Sequence, residues 1–190
     1  MLYNTLMFLS TLACRTPRPL LLGAGWVLGN LYYLLIPKMR RRAVEHMMPA
    51  LGISETEAKR LVRASFINMA RNVLDILAMP MLNEKNLSEY IEIDHLERMQ
   101  EALAEGRGVV VLTGHIGCWE WLSAAFTLNG IPVSAIAKPQ PNIEYTRVLD
   151  DLRATIHVEI FSRGTSELIA AARALKRGRL LGFLADQDGG

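Results

Sequence analysis

Residues 108–137 read GVVVLTGHIGCWEWLSAAFTLNGIPVSAIA, and this stretch decides the fold class. It opens with a β-branched apolar run at 108–113, closes with a second at 131–137, and holds a helix-length segment between them. Two strands separated by a helix cannot be a hairpin. The helix carries the chain back across the sheet, so the strands run parallel. Further runs at 157–161 and 180–185 are also separated by helical stretches, with Gly106, Gly130 and Gly178 where helices should stop. The pattern predicts an α/β domain with a mainly parallel, mixed sheet flanked by helices. Ligands of such sheets collect beyond the carboxyl ends of the strands, so the loops after residues 113, 137, 161 and 185 are where chemistry is expected.

On the N-terminal side, residues 54–79 open with Ser54 and Glu57 at capping-box spacing and stop before Pro80. Val62, Phe66, Met69, Val73 and Leu77 fall on one stripe, which predicts an amphipathic helix with that stripe on the core. Earlier still, residues 19–37 (PLLLGAGWVLGNLYYLLIP) carry no charge and are succeeded at once by Lys38, Arg40, Arg41 and Arg42. Such a stretch approaches the roughly 30 Å thickness of a hydrocarbon core. A membrane span, a helix lying in the interface and a buried soluble hairpin remain open. In a span, the basic cluster would put the remainder of the chain on the cytoplasmic side. Gly25 and Gly29 form a GxxxG pair, read here as helix flexibility rather than close helix packing. The first fourteen residues lack the basic start and small-residue cleavage site of a signal peptide. The expected organisation is a membrane-associated helical segment over 1–50 and an α/β domain over 51–190. Because residue 190 directly follows a strand end, a C-terminal part of that domain is expected beyond it.

Hydrophobic residues make up 51% of the 190, enough for a real core. Net charge is only +2, which gives no footprint for nucleic acid. Its placement is informative: residues 1–72 hold 10 Lys/Arg against 3 Asp/Glu, and residues 73–190 hold 11 against 16. A basic, apolar N-terminal part suits an anionic membrane surface. Cys14 and Cys118 are too few and too far apart for a disulfide framework or a zinc cluster, and a reducing compartment fits.

After the strand at 108–113 comes Gly114, then His115-Ile116-Gly117-Cys118-Trp119-Glu120. At about 100° per residue, a continuous helix would separate His115 and Glu120 by about 140°. A strand-to-helix turn, freed by Gly114 and Gly117, lets Glu120 reach back to the imidazole. A carboxylate on one ring nitrogen fixes the tautomer and aims the other at a hydroxyl proton, which is general-base chemistry. On spacing alone a capping histidine beside a solvated Glu120 is an equal reading. Cys118 is read as a small buried residue rather than a nucleophile.

The run GVVVLTGHIGCWEWL resembles the H-x4-D/E motif of glycerolipid acyltransferases, and within them the lipid A lauroyl/myristoyl acyltransferase family. Ile116 stands at that family's aromatic position, and His46 where it usually has Asn. Lys138-Pro139 resembles its Arg-Pro pair, Arg153 lies near its next basic position, and Asp186-Gln187-Asp188-Gly189 resembles its Asp-x-Asp-x-Gly run. The resemblance implies O-acylation of a membrane lipid, such as a lipid A precursor or related glycolipid. The donor would be an acyl carrier protein or coenzyme A thioester, and the place the cytoplasmic face of the inner membrane. Neither cofactor nor metal is implied. It makes His115 the base, Glu120 its support, Lys138 and Arg153 holders of anionic groups, and Asp186 with Asp188 walls of the acceptor pocket. On that assignment Glu120→Ala is expected to lower turnover and leave folding intact. Two alternatives stand beside it: a metal-dependent glycosyltransferase using Asp186 and Asp188, and a non-catalytic lipid-binding module.

Overall fold

The computed structural model describes residues 1–162 and 164–187, so Asp188 lies outside the described residues. The helices are α1 (Leu2–Arg15), α2 (Arg18–Leu35), α3 (Pro37–Leu51), α4 (Glu55–Ala78), α5 (Leu87–Tyr90), α6 (Leu96–Ala104), α7 (Trp119–Thr127), α8 (Ile143–Ala154) and α9 (Thr165–Lys176). The strands are β1 (Val109–Thr113), β2 (Val133–Ile136), β3 (Glu159–Phe161) and β4 (Leu180–Leu184). The chain divides into two compact units, one of Met1–Cys14 with the residues from Ile76 onward, the other of Arg15–Asp75.

The first unit is built on a four-stranded sheet in the order β1-β4-β2-β3. Every described strand pair is parallel, which bears out the α/β domain with a mainly parallel sheet; the mixed element expected of it is not seen among the described strands. Consecutive residues of a strand face opposite sides of the sheet. In β4, Leu180 packs with Ile131 and Val133 on the face covered by Leu96 and Met99 of α6 and Phe126 of α7. Its neighbour Leu181 packs with Phe161 and with Ala171 and Ala174 of α9. Helices on both faces explain why this strand is apolar at every position rather than at alternate ones. Cover thins at the edge strand, where Val110 and Leu112 are exposed. The first helix belongs to this unit too. Ser10 Oγ donates to the Leu77 carbonyl at 2.6 Å, and Tyr3 donates to Asp151 of α8 at 2.5 Å.

The second unit packs α2 and α3 with α4 as far as Asp75. Its core is Val44, Ala58 and Val62, with Tyr33 and Phe66 against them in an edge-to-face contact. Ser54 accepts a hydrogen bond from the Glu57 backbone N–H, the expected cap of α4. The stripe reading holds only in part: Val62 and Leu77 are buried, whereas Met69 and Val73 are exposed. Gly25 and Gly29 account for the difference. A Cβ at Gly29 would lie 2.4 Å from Ile67 Cα, and one at Gly25 would lie 2.6 Å from Arg71 Cγ. The GxxxG pair therefore serves close helix approach, correcting the flexibility reading, and it turns the Ile67–Arg71 side of α4 toward α2. No single described helix is long and apolar enough to cross a membrane, although α2 and α3 pass that test together as a pair bent by 92°.

Candidate active site

Strand register creates the site. β1 and β4 are hydrogen-bonded neighbours with Thr113 opposite Leu184, and Ala185 N–H extends the ladder by donating to the Thr113 carbonyl at 3.0 Å. Parallel partners end on the same side, so the residue two past Thr113, His115, emerges beside the residue two past Leu184, Asp186. One Asp186 oxygen accepts the His115 backbone N–H at 2.9 Å, and the other lies 2.9 Å from the imidazole Nδ1. A carboxylate can only accept, so this contact places the ring proton on Nδ1 and leaves Nε2 as the basic nitrogen. The His115 side chain and then its backbone N–H hold the Asp186 carboxyl below its ordinary value, since both favour the ionised form.

Local backbone chemistry makes room for this clamp. A Cβ on Gly114 would lie 3.1 Å from Asp186 Cγ, so glycine lets the carboxylate close on the next residue. Gly117 has φ +61°, a left-handed conformation that other residues adopt at a cost, and it turns the chain from strand into helix. Trp119, the first residue of α7, meets the imidazole edge-on with ring centroids 4.6 Å apart. The spacing of five is thus a turn, as expected.

What the turn delivers differs from expectation at Glu120. Its buried carboxylate accepts Arg153 Nε at 2.9 Å and Arg153 Nη2 at 2.5 Å, a bidentate pair that ties α7 to α8. The carboxylate that meets the imidazole is that of Asp186. Because α7 starts only at Trp119, Glu120 lies in its first turn and is taken up by α8 rather than by the loop. Burial pulls the Arg153 guanidinium down, but the Glu120 hydrogen bond and charge more than offset this, and its pKa stands above the ordinary value. Asp150 is a further neighbour of Arg153 at 3.6 Å, so the charge expected to hold an anion is already engaged. Lys138 is exposed in the loop after β2. The pairing of His115 with Asp186 carries no signal within either motif; only strand order brings the two together.

Residues 2–190 match the family described as bacterial lipid A biosynthesis acyltransferase. The chain is also similar to the phosphatidylinositol mannoside acyltransferase of Mycolicibacterium smegmatis (strain ATCC 700084 / mc(2)155), at 26% identity over 91 residues. That match covers 47% of this chain and 30% of the relative's length.

Proposed function

Because the chain belongs to the bacterial lipid A biosynthesis acyltransferase family, we propose that it moves a fatty acyl group from a thioester to a lipid hydroxyl, with His115 as general base. The observation that carries this reading is the Asp186 clamp on the backbone N–H and Nδ1 of His115. It leaves Nε2 aimed away from the carboxylate, ready to take a proton from an acceptor hydroxyl as that oxygen attacks the thioester carbonyl. Collapse of the tetrahedral intermediate expels the thiolate, which recovers the proton from the imidazolium. Asp186 stabilises that imidazolium and keeps the ring from turning.

The other residues take supporting roles. Glu120 and Arg153 are positioning residues that fix α7, and with it Trp119 and the turn carrying His115, against α8. Lys138, exposed at the carboxyl end of β2, suits an anionic group of donor or acceptor. Asp188 is assigned to the acceptor pocket by resemblance alone. The acceptor is a lipid A precursor or related glycolipid, the donor an acyl carrier protein or coenzyme A thioester, and the place the cytoplasmic face of the inner membrane. Membrane association is assigned within residues 1–50, to α2 and α3 rather than to α1, which packs in the sheet-bearing unit, and catalysis is assigned within residues 51–190. The family match favours acyl transfer over the metal-dependent glycosyltransferase reading of the Asp-x-Asp run.

The test uses full-length protein in vesicles, thioesters of graded chain length and a panel of lipid acceptors, with chelator present. Acyl transfer is expected to persist in chelator and to fall by about 10²- to 10⁴-fold in His115→Ala. Normal turnover in that variant, or transfer of sugar rather than acyl groups, would end the proposal.

A further inference from the structure

The second unit contains a cavity of about 730 Å³ at the start of α3, a size ordinary for a ligand site. Four cations rim it: Lys38, Arg40, Arg41 and Lys59. Two of them are neutralised nearby, Arg41 by Glu45 at 3.4 Å and Lys59 by Glu55 at 2.7 Å. The other two are not. Among the described residues no carboxylate pairs with Lys38 or with Arg40, whose guanidinium lies 5.0 Å from the Tyr33 ring centroid. Apolar Val44 and Met48 also line the cavity. A cationic rim over an apolar floor matches a molecule with a phosphate joined to hydrocarbon.

The position of the cavity names the source of that molecule. It begins at Pro37 and Lys38, directly after the 92° bend between α2 and α3. Before the bend, Leu20, Trp26, Val27, Leu31, Leu34 and Leu35 of α2 are exposed apolar side chains. With α2 in hydrocarbon, a right-angle bend lays α3 along the headgroup layer, where Lys and Arg gain from anionic lipid. We propose that this cavity binds the phosphate of an anionic phospholipid, with Lys38 and Arg40 as its ligands and Val44 and Met48 against the glycerol and first methylenes. Arg40 suits a phosphate oxygen pair through its planar fork, and Lys38 acts as a point charge. The site anchors and orients the chain on the bilayer and takes no part in the chemistry at His115.

The experiment is cosedimentation of the full chain with phosphatidylcholine vesicles, with and without phosphatidylglycerol. Lys38→Gln with Arg40→Gln is expected to weaken binding to the anionic vesicles by about 30-fold and to leave binding to phosphatidylcholine unchanged. Lys38→Gln alone, which leaves the Arg40–Tyr33 contact in place, should give about a fivefold loss. Removing the neutralised pair with Arg41→Gln and Glu45→Gln should change little. Equal binding by wild type and Lys38→Gln, or an equal loss on both kinds of vesicle, would overturn the proposal. So would saturable binding of inorganic phosphate in solution that depends on Lys38, since the site would then belong to a soluble anion. A raised KM for an acyl carrier protein donor in Lys38→Gln with vesicle binding intact would assign the rim to an acidic protein instead. Vesicle binding reads this site independently of turnover, so it stands or falls apart from the acyltransferase reading.

Discussion

The Asp186 side chain is 40% exposed and closes on His115, whereas the Glu120 side chain is 7% exposed and closes on Arg153. Both contacts are carboxylates meeting a nitrogen at hydrogen-bond distance, and their surroundings give them opposite consequences. Water competes with the exposed contact, which therefore adds little to stability and acts through geometry, by fixing a ring. The buried contact has been stripped of water, and each charge depends on the other. Removing one partner should injure catalysis in the first case and folding in the second.

Glu120→Ala puts the greatest strain on this contrast. It leaves the Arg153 charge in a site where its side chain is only 14% exposed, and breaking such a pair is expected to destabilise the fold by about 3–5 kcal/mol in urea unfolding. Replacing both partners, Glu120→Leu with Arg153→Met, should recover much of that loss because no charge is then left buried. This differs from the outcome expected from sequence, in which Glu120→Ala spares folding. A variant as stable as wild type yet without turnover would restore Glu120 to a direct part in the reaction and collapse the contrast.

Gly114→Ala probes the other side at smaller amplitude. The added methyl group would stand 3.2 Å from Asp186 Oδ2, tight enough to push the carboxylate back by a few tenths of an ångström. Turnover should fall about tenfold, with the unfolding midpoint little changed. If turnover is untouched, the clamp does not need its present closeness.

The four strands and the helices between them were legible in the sequence because short β-branched or apolar runs and glycine stops are local signals. The turn at Gly117 was legible for the same reason. Strand order was not, since β1 and β4 stand at opposite ends of the α/β sequence and become neighbours only when the sheet assembles. His115 and Asp186 were each visible in their own motif, but their pairing depends on that order. Glu120 was assigned by proximity along the chain, and a helix that starts at Trp119 gave it to Arg153 instead. The stripe on α4 failed at Met69 and Val73 for a related reason. Helical periodicity tells which residues share a face, but the glycines of another helix decided which face is covered.

The most direct test of the Asp186 assignment is the ring-nitrogen NMR signal of His115, identified by its absence in His115→Gln. The proton is expected on Nδ1 in the wild-type protein and in a folded Glu120→Gln variant, and this preference should disappear in Asp186→Asn. A tautomer that ignores Asp186→Asn and changes with Glu120→Gln would show that the imidazole answers to the other carboxylate.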